Sequence, residues 1–366
     1  MPSRRQILAA LLSGAAARVV GAELPAFRIE HDPTVFKIGF GSCVSQRRPQ
    51  DFWPRIRAQA PEAFIMMGDG VYPEHEGVHM PVLESIEAAY RQAGTRQELA
   101  EFRKHVAIIA IWDDNDFGGS DIGAVFEHKR RSKELFLDFW TRGDERKTRD
   151  RETGIYGLWE FGGEAQRVQV IVPDLRYRRS EWLQVDDRKI EALRESGFGP
   201  YLSSNDDDVT MLGDAQWRWL EECLRRPAKL RLFVSSIQCI PEGRGWESWS
   251  NFPGERERLF DLIRDTRAEG VVILSGDSHY AELSRLDESA VGYPLWEATS
   301  SGLTEVWPVP GPNPHRIGPA YPCTNFGMLR INWAARRPVV LLEIYSTNGK
   351  RLRQESLMLD STRFAS

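Results

Sequence analysis

Cysteine is scarce in this chain, with four in 366 residues, at Cys43, Cys223, Cys239 and Cys323. Their spacing matches no zinc-finger pattern, and so few in so long a chain exclude a dense disulfide framework, leaving room for a single bridge in an oxidising compartment. Cys223 falls on the apolar face of a helical pattern, where a thiol packs as a small hydrophobe. No long basic run is present either. The 48 Lys and Arg are dispersed among 53 Asp and Glu, for a net charge of −5, which gives a nucleic-acid partner no electrostatic footing. Internal repeats and low-complexity tracts are absent, which argues against a solenoid. Past the first twenty or so residues, no apolar run is long enough to read as a transmembrane helix.

What is present describes a packed enzyme-sized chain. Hydrophobic residues make up 41% against 28% charged, a balance that supports a core and not a disordered segment. The length allows one large domain or two. No composition break divides residues 23–366, so they are read as one domain. The twelve tryptophans are first of all core side chains, and a binding surface is the second reading.

The start of the chain reads as a targeting signal. Arg4-Arg5 precede an apolar run from Ile7 to Ala17, and Val20-Gly21-Ala22 supply small residues before Glu23. The run is too short to span a bilayer. Paired arginines in this position resemble a Tat signal, so residues 1–22 are expected to engage the Tat export machinery and deliver the mature protein to the periplasm or beyond. An ordinary secretory signal is the alternative.

Short β-branched runs recur at Val35 to Phe40, Ala63 to Met67, Val106 to Ile111, Val168 to Val172, Leu230 to Ser235 and Val271 to Ser275. Near-continuous apolar strands suit sheets covered on both faces. Helical stripes lie between them, with Trp217, Leu220 and Leu224 on one and Leu259, Leu262 and Ile263 on another. This alternation predicts an α/β fold. The later runs Met328 to Trp333 and Val339 to Tyr345 have short connections and read as antiparallel. Val306 to Pro322 reads as a long loop that shapes an entrance.

Polar clusters follow the strands, where open α/β sheets place their ligands. They are Gly41-Ser42-Cys43, Gly68-Asp69-Gly70-Val71-Tyr72, Trp112-Asp113-Asp114-Asn115-Asp116 and Gly276-Asp277-Ser278-His279. Each alone has a plain explanation as a helix cap or a core thiol. Four together, delivering carboxylates, a thiol, a phenol and an imidazole to strand ends, make a metal centre the better reading. Thiolate and phenolate among carboxylates favour a trivalent ion such as iron.

The motifs that carry these clusters resemble the alkaline phosphatase D (PhoD-type) branch of the calcineurin-like metallophosphatases. They are FGSC at Phe40 to Cys43, MGDGVY at Met67 to Tyr72, IWDDND at Ile111 to Asp116, MLGDAQWRWLEE at Met211 to Glu222 and SSIQ at Ser235 to Gln238. WESWSNFPGERERLF at Trp246 to Phe260, SGDSHYAEL at Ser275 to Leu283 and NFG at Asn325 to Gly327 complete the set. The resemblance implies a four-layer α/β/β/α sandwich, a centre of Fe3+ and Ca2+, and hydrolysis of phosphomonoesters or phosphodiesters, including phospholipid-type substrates, by a metal-activated hydroxide. It implies metal ligation by Cys43, Asp69, Tyr72, Asp114, Asp277 and His279, with Asp69 the bridge. Asp113 and Asn325 are expected as outer ligands or hydrogen-bonding supports.

Three positions depart from the family pattern. Asn115 stands where the family has the histidine that acts as proton donor, Gly70 replaces a polar side chain, and Ser278 replaces an arginine. An amide cannot donate a net proton at neutral pH, and losing such a group costs ~10²–10⁴-fold in rate. The alternative to a slow enzyme is therefore a degenerate member that binds metals or phosphoesters with little catalysis. Weaker candidates are Arg176 and Arg178 for a phosphate oxygen, Trp246 and Trp249 for the pocket wall, and His75 and His79 as substitutes for the missing acid, each with a surface or core role as the plainer expectation.

Overall fold

A computed structural model describes residues 27–29, 35–73 and 83–364. The expected export signal and both His75 and His79 lie outside these residues.

Two mixed sheets form the centre. One has seven strands, ordered Phe27–Ile29, Gly157–Phe161, Val168–Val172, Leu230–Ser235, Val271–Ser275, Leu295–Ser300 and Ala281–Leu286. The other has six, ordered Arg351–Met358, Val339–Ser346, Asn325–Asn332, Val35–Gly41, Ala63–Met67 and Ala107–Ile111. The expected strands form within a residue or two of their apolar runs, except that Asn325–Asn332 begins three residues before the run at Met328. Phe27–Ile29, Gly157–Phe161, Ala281–Leu286, Leu295–Ser300 and Arg351–Met358 are strands that the apolar runs do not show. The late strands pair antiparallel, as their short connections require.

Side-chain alternation assigns the layers. Phe36, Ile38 and Phe40 point to the face on which Phe36 meets Phe161 of the other sheet, with ring centroids 4.7 Å apart. Phe64 points to the opposite face and is covered by Trp53 of the helix Trp53–Ala58 at 5.5 Å. In the seven-stranded sheet, Val170, Leu232, Val234, Val272 and Leu274 join the core shared with the six-stranded sheet. Ile171, Phe233 and Ile273 face outward, into a second cluster with Trp217, Leu220 and Leu224 of Asp214–Arg225 and Leu259 and Ile263 of Pro253–Asp265. Both helices carry the apolar stripe read from the sequence, and Pro253 opens the second at a position where its missing N–H is not needed. Helix, sheet, sheet and helix are thus the four layers, as in a metallophosphatase-type sandwich.

Strand direction then places the chemistry. Val35–Gly41, Ala63–Met67 and Ala107–Ile111 run parallel, so their C-terminal ends share one edge. Val168–Val172, Leu230–Ser235, Val271–Ser275 and Leu295–Ser300 also run parallel. Asn325–Asn332 is antiparallel to Val35–Gly41, which brings its first residue, not its last, to that edge. The edges meet at Gly276: a Cβ there would lie 2.6 Å from Ser42 Oγ, 2.8 Å from Met67 O and 2.9 Å from Ser236 O. Only a residue without a side chain lets these strand ends approach so closely.

Candidate metal centre

The strand-end turns are sharp, and their residues take conformations that L side chains rarely adopt. Among the described non-glycine residues only seven have positive φ, and Cys43 (62°), Asp69 (53°), Asp277 (66°) and His279 (59°) are four of them. Backbone strain of this kind gathers where a structure must aim functional groups. Here three of these expected ligands, Cys43, Asp69 and His279, bring donor atoms within 4.8 Å of one another, and Asp277 lines the adjoining cavity without joining a donor set.

At one end of the cluster, Cys43 Sγ lies 3.8 Å from Asp69 Oδ2 and 3.1 Å from Ser301 Oγ. Tyr72 donates its hydroxyl to Asp69 Oδ2 at 2.9 Å, and its oxygen is 3.2 Å from His279 Nε2. His279 is held in turn, its backbone N–H donating to Ser301 Oγ at 2.9 Å. Asp69 continues the chain: the Asn115 backbone N–H and side-chain amide donate to its two oxygens at 3.2 and 3.0 Å, and the same amide donates to Asp114 Oδ1 at 3.0 Å. Three sets of donor atoms lie within 4.8 Å of one another: Cys43, Asp69 and His279; Asp69, Asp113 and Asp114; and Asp114, Asp121 and Glu247. Asp69 and Asp114 each belong to two sets.

Charge in this cluster is under-compensated by the protein. Burial pushes the Cys43 thiol up to about 12. Burial and then Asp114 raise Asp69, burial and then Asp69 raise Tyr72, burial and then Glu247 raise Asp121, and burial and then Asp113 raise Asp277. Asp113 is pushed up to about 7 by burial, against the pull of Arg176. Its Oδ1 accepts from Arg176 Nε at 2.7 Å and Ser236 Oγ at 2.6 Å, while Oδ2 is buried with no partner. An orphaned buried carboxylate oxygen beside two other carboxylates is where a cation fits.

The supports differ in part from expectation. Asn325 is fully buried and its amide is fully used: Oδ1 accepts from Ser300 Oγ at 2.8 Å, and Nδ2 donates to Ser301 O and Cys323 O at 2.9 and 2.8 Å. It braces the segment carrying Ser301 and contributes no atom to the three donor sets. Arg176 is also fully buried, forking onto Glu247 at 2.7 Å twice as well as onto Asp113, so it is neither on the surface nor free for a phosphate oxygen. Burial opposes the ionised form of Glu247, but Arg176 and Arg179 prevail and hold it down at about 2. Arg178 is exposed. Trp249 is core, donating to Ser235 Oγ at 3.0 Å, whereas Trp246 reaches the cavity described next. All four cysteines are free thiols. In the sequence Asp116 stands out only as part of the motif at Ile111 to Asp116. It accepts from Gly70 N at 3.0 Å and Asp113 N at 2.6 Å, and so ties two ligand turns together. Glu247 likewise enters only within the motif at Trp246 to Phe260, and Asp121 lies in none of the motifs. Asp121 carries the same left-handed signature (φ 59°), which no sequence pattern announces.

A cavity of about 280 Å3 opens onto the cluster. Asp69, Asp114, Asn115, Asp121, Glu247, Asp277, Ser278 and His279 line it together with Arg194, Arg244, Trp246, Trp307 and Val309. The loop read as an entrance supplies Trp307, Val309 and Gly311. A larger depression of about 650 Å3 beside Trp53 and Phe102 shares no residue with the donor sets.

Comparison with known proteins gives a family. The sequence model of the PhoD-like phosphatases matches residues 41–313, well over half the chain and all of the donor sets. No curated protein matches the sequence. Among solved structures, one titled "Structure of PhoD" superposes with a TM-score of 0.63 at 14% identity, covering 90% of this chain and 73% of the other. Another, titled GAP50, the anchor in the inner membrane complex of Plasmodium, gives 0.53 at 8% identity and covers 91% and 90%. At these identities the likeness is one of fold.

Proposed function

The chain belongs to the PhoD-like phosphatase family, whose general activity is phosphoric ester hydrolysis, and from that premise we propose that it is a metal-dependent phosphoesterase acting on small phosphomonoesters or phosphodiesters. The single observation that carries the metal dependence is the partnerless, buried Oδ2 of Asp113 within a chain of donor sets joined by Asp69 and Asp114.

The donor chemistry supports two kinds of ion. Cys43, Tyr72, Asp69 and His279 would hold iron, since thiolate and phenolate suit a trivalent ion. Asp69, Asp113 and Asp114 offer oxygen alone, which suits calcium. When bound, such ions supply Lewis acidity to a phosphoryl group and acidify water. The protein's own groups do the rest. Arg176 and Ser236 fix one oxygen of Asp113 so that the other stays turned to the site. Asn115 holds Asp69 and Asp114 in register by donating to both, and it has no proton to give a leaving oxygen. Poor leaving groups are therefore turned over slowly. Delivery across the inner membrane by the Tat route, inferred from Arg4-Arg5, fits a protein that binds its metals while folding.

A second reading, a member that binds without catalysis, is favoured by Asn115 itself. The fold does not decide between the two, because folds host unrelated functions and one neighbour bears an anchor's title. Turnover of 4-nitrophenyl phosphate and bis(4-nitrophenyl) phosphate by protein loaded with iron and calcium separates them. Metal-dependent release of nitrophenol supports the enzyme. Its absence in fully loaded protein leaves only the binding role.

A further inference from the structure

We propose that the part of the cavity beside Trp246 and Trp307 is a leaving-group subsite selective for phosphoesters of planar aromatic alcohols; this rests on the hydrolase reading and names its substrate class. Among the described residues Trp307 is one of few large hydrophobic side chains left exposed, at 38%. It is nevertheless positioned: its backbone N–H donates to His279 O at 2.8 Å, so the ring is tied to a candidate metal ligand. Trp246 faces it edge-on, with ring centroids 5.6 Å apart at 66°, and its indole N–H donates to Gly197 O at 3.1 Å. Two indoles fixed beside the five acidic residues of the cavity form an apolar, π-bearing wall where a flat ring gains contact at low entropic cost.

Size points the same way. At ~30 Å3 per water, about 280 Å3 is room for roughly nine waters. That accommodates a phosphoryl group with one ring. Cationic help comes from Arg244, which lines the cavity while Ser278 stands where the family has arginine. Arg244 is 6% exposed, with its guanidinium 5.4 Å from the Tyr280 ring centre, and its Nε is buried without a partner. Its Nη1 donates to Gln238 Oε1 and lies 3.9 Å from Glu282 Oε1, which fixes the guanidinium as a positive charge in the cavity wall.

The missing acid completes the argument. A water oxygen bonds to phosphorus and the ester P–O bond breaks, with its electron pair going to the departing oxygen. The water's proton passes to solvent, from which the departing oxygen takes its own. A phenol, with pKa about 10, departs without help from the protein, and an alkyl alcohol, closer to the 15.7 of water, does not. Asn115 and the paired indoles thus select the same chemical class by independent means.

The test uses metal-loaded full-length protein and two non-hydrolysable probes, phenylphosphonate and butylphosphonate, with binding followed by calorimetry. The subsite predicts phenylphosphonate binding about 3–10-fold tighter, and Trp307→Leu and Trp246→Leu each bringing the two probes to within about twofold of each other. Equal affinity in the unaltered protein, or a preference that survives both substitutions, overturns it. Hydrolysis of 4-nitrophenyl phosphate by the same sample separates the two claims. Binding preference without turnover removes the hydrolase and leaves the subsite, whereas turnover without preference removes the subsite alone.

Discussion

Stripping the metals should make stability depend on pH in a direction opposite to ordinary acid denaturation. Asp113 and Asp116 are pushed up to about 7 and about 8, in both cases chiefly by burial. In the unfolded chain each ionises near ~3.9. Between these limits the folded chain holds protons that the unfolded chain has released, so stability falls as pH rises. Each carboxyl in that condition costs about 1.4 kcal/mol per pH unit. From pH 5 to its folded value Asp113 removes roughly 3 kcal/mol, and Asp116 roughly 4 up to pH 8. Together these are comparable with the whole stability of a domain, ~5–15 kcal/mol. Asp69, Asp121 and Asp277 act in the same direction. Glu247, held down at about 2, is ionised in both states above pH 5 and adds no slope there. Urea titration of chelator-treated protein should therefore show a lower midpoint at pH 8 than at pH 5. Iron and calcium should restore the midpoint at pH 8, since ligand at ~1,000 times its Kd adds about 4 kcal/mol. A stripped protein equally stable at both pH values, or unmoved by metal, would refute the reasoning.

Three substitutions test other parts of the site. Asn115→His should raise turnover of alkyl phosphates by up to ~10²–10⁴-fold and of nitrophenyl esters far less, because only the former need a proton; equal gains on both, or none, would show that position 115 is not the missing acid's place. Gly70→Asn should destabilise and not repair the site, since a Cβ there would lie 2.7 Å from the Trp140 ring; a lowered Tm with no gain in kcat is expected, and a gain in kcat counts against it. Arg176→Met should cost ~3–5 kcal/mol by leaving Asp113 and Glu247 buried without their cation, read as a shift of the urea midpoint at constant slope, and a shift below ~1 kcal/mol would mean those charges are already neutral.

The legible parts of this molecule are those where one residue type does one job. Ala63–Met67, Val168–Val172, Leu230–Ser235 and Val271–Ser275 coincide with the apolar runs read from sequence because both faces of each strand are covered. Of the strands that the apolar runs do not show, Gly157–Phe161, Ala281–Leu286 and Leu295–Ser300 each carry a buried glutamate that breaks the pattern. Glu160 is met by Arg226 at 2.9 Å, Glu282 by Gln238 at 2.8 Å, and Glu297 by the backbone N–H of Cys239 at 3.0 Å. These partners lie 44 to 66 residues away along the chain, so no local pattern signals that the charge is satisfied. The donor set was legible through its motifs, since strand direction carries any group that follows these strands to one edge. The supporting roles were not. Asn325 and Asp113 both read as ligand or support, and only the partners decide between them: Asn325 has every amide position filled, whereas Asp113 has one oxygen left over.

The central claim is that Cys43, Asp69, Tyr72, Asp113, Asp114, Asp277 and His279 jointly hold cations. Metal analysis of the purified protein, read together with its visible absorption, tests it most directly. Bound iron and calcium are expected, with a phenolate-to-iron absorption band that Tyr72→Phe abolishes while the fold persists. Protein that stays colourless and metal-free after loading with both ions would contradict it.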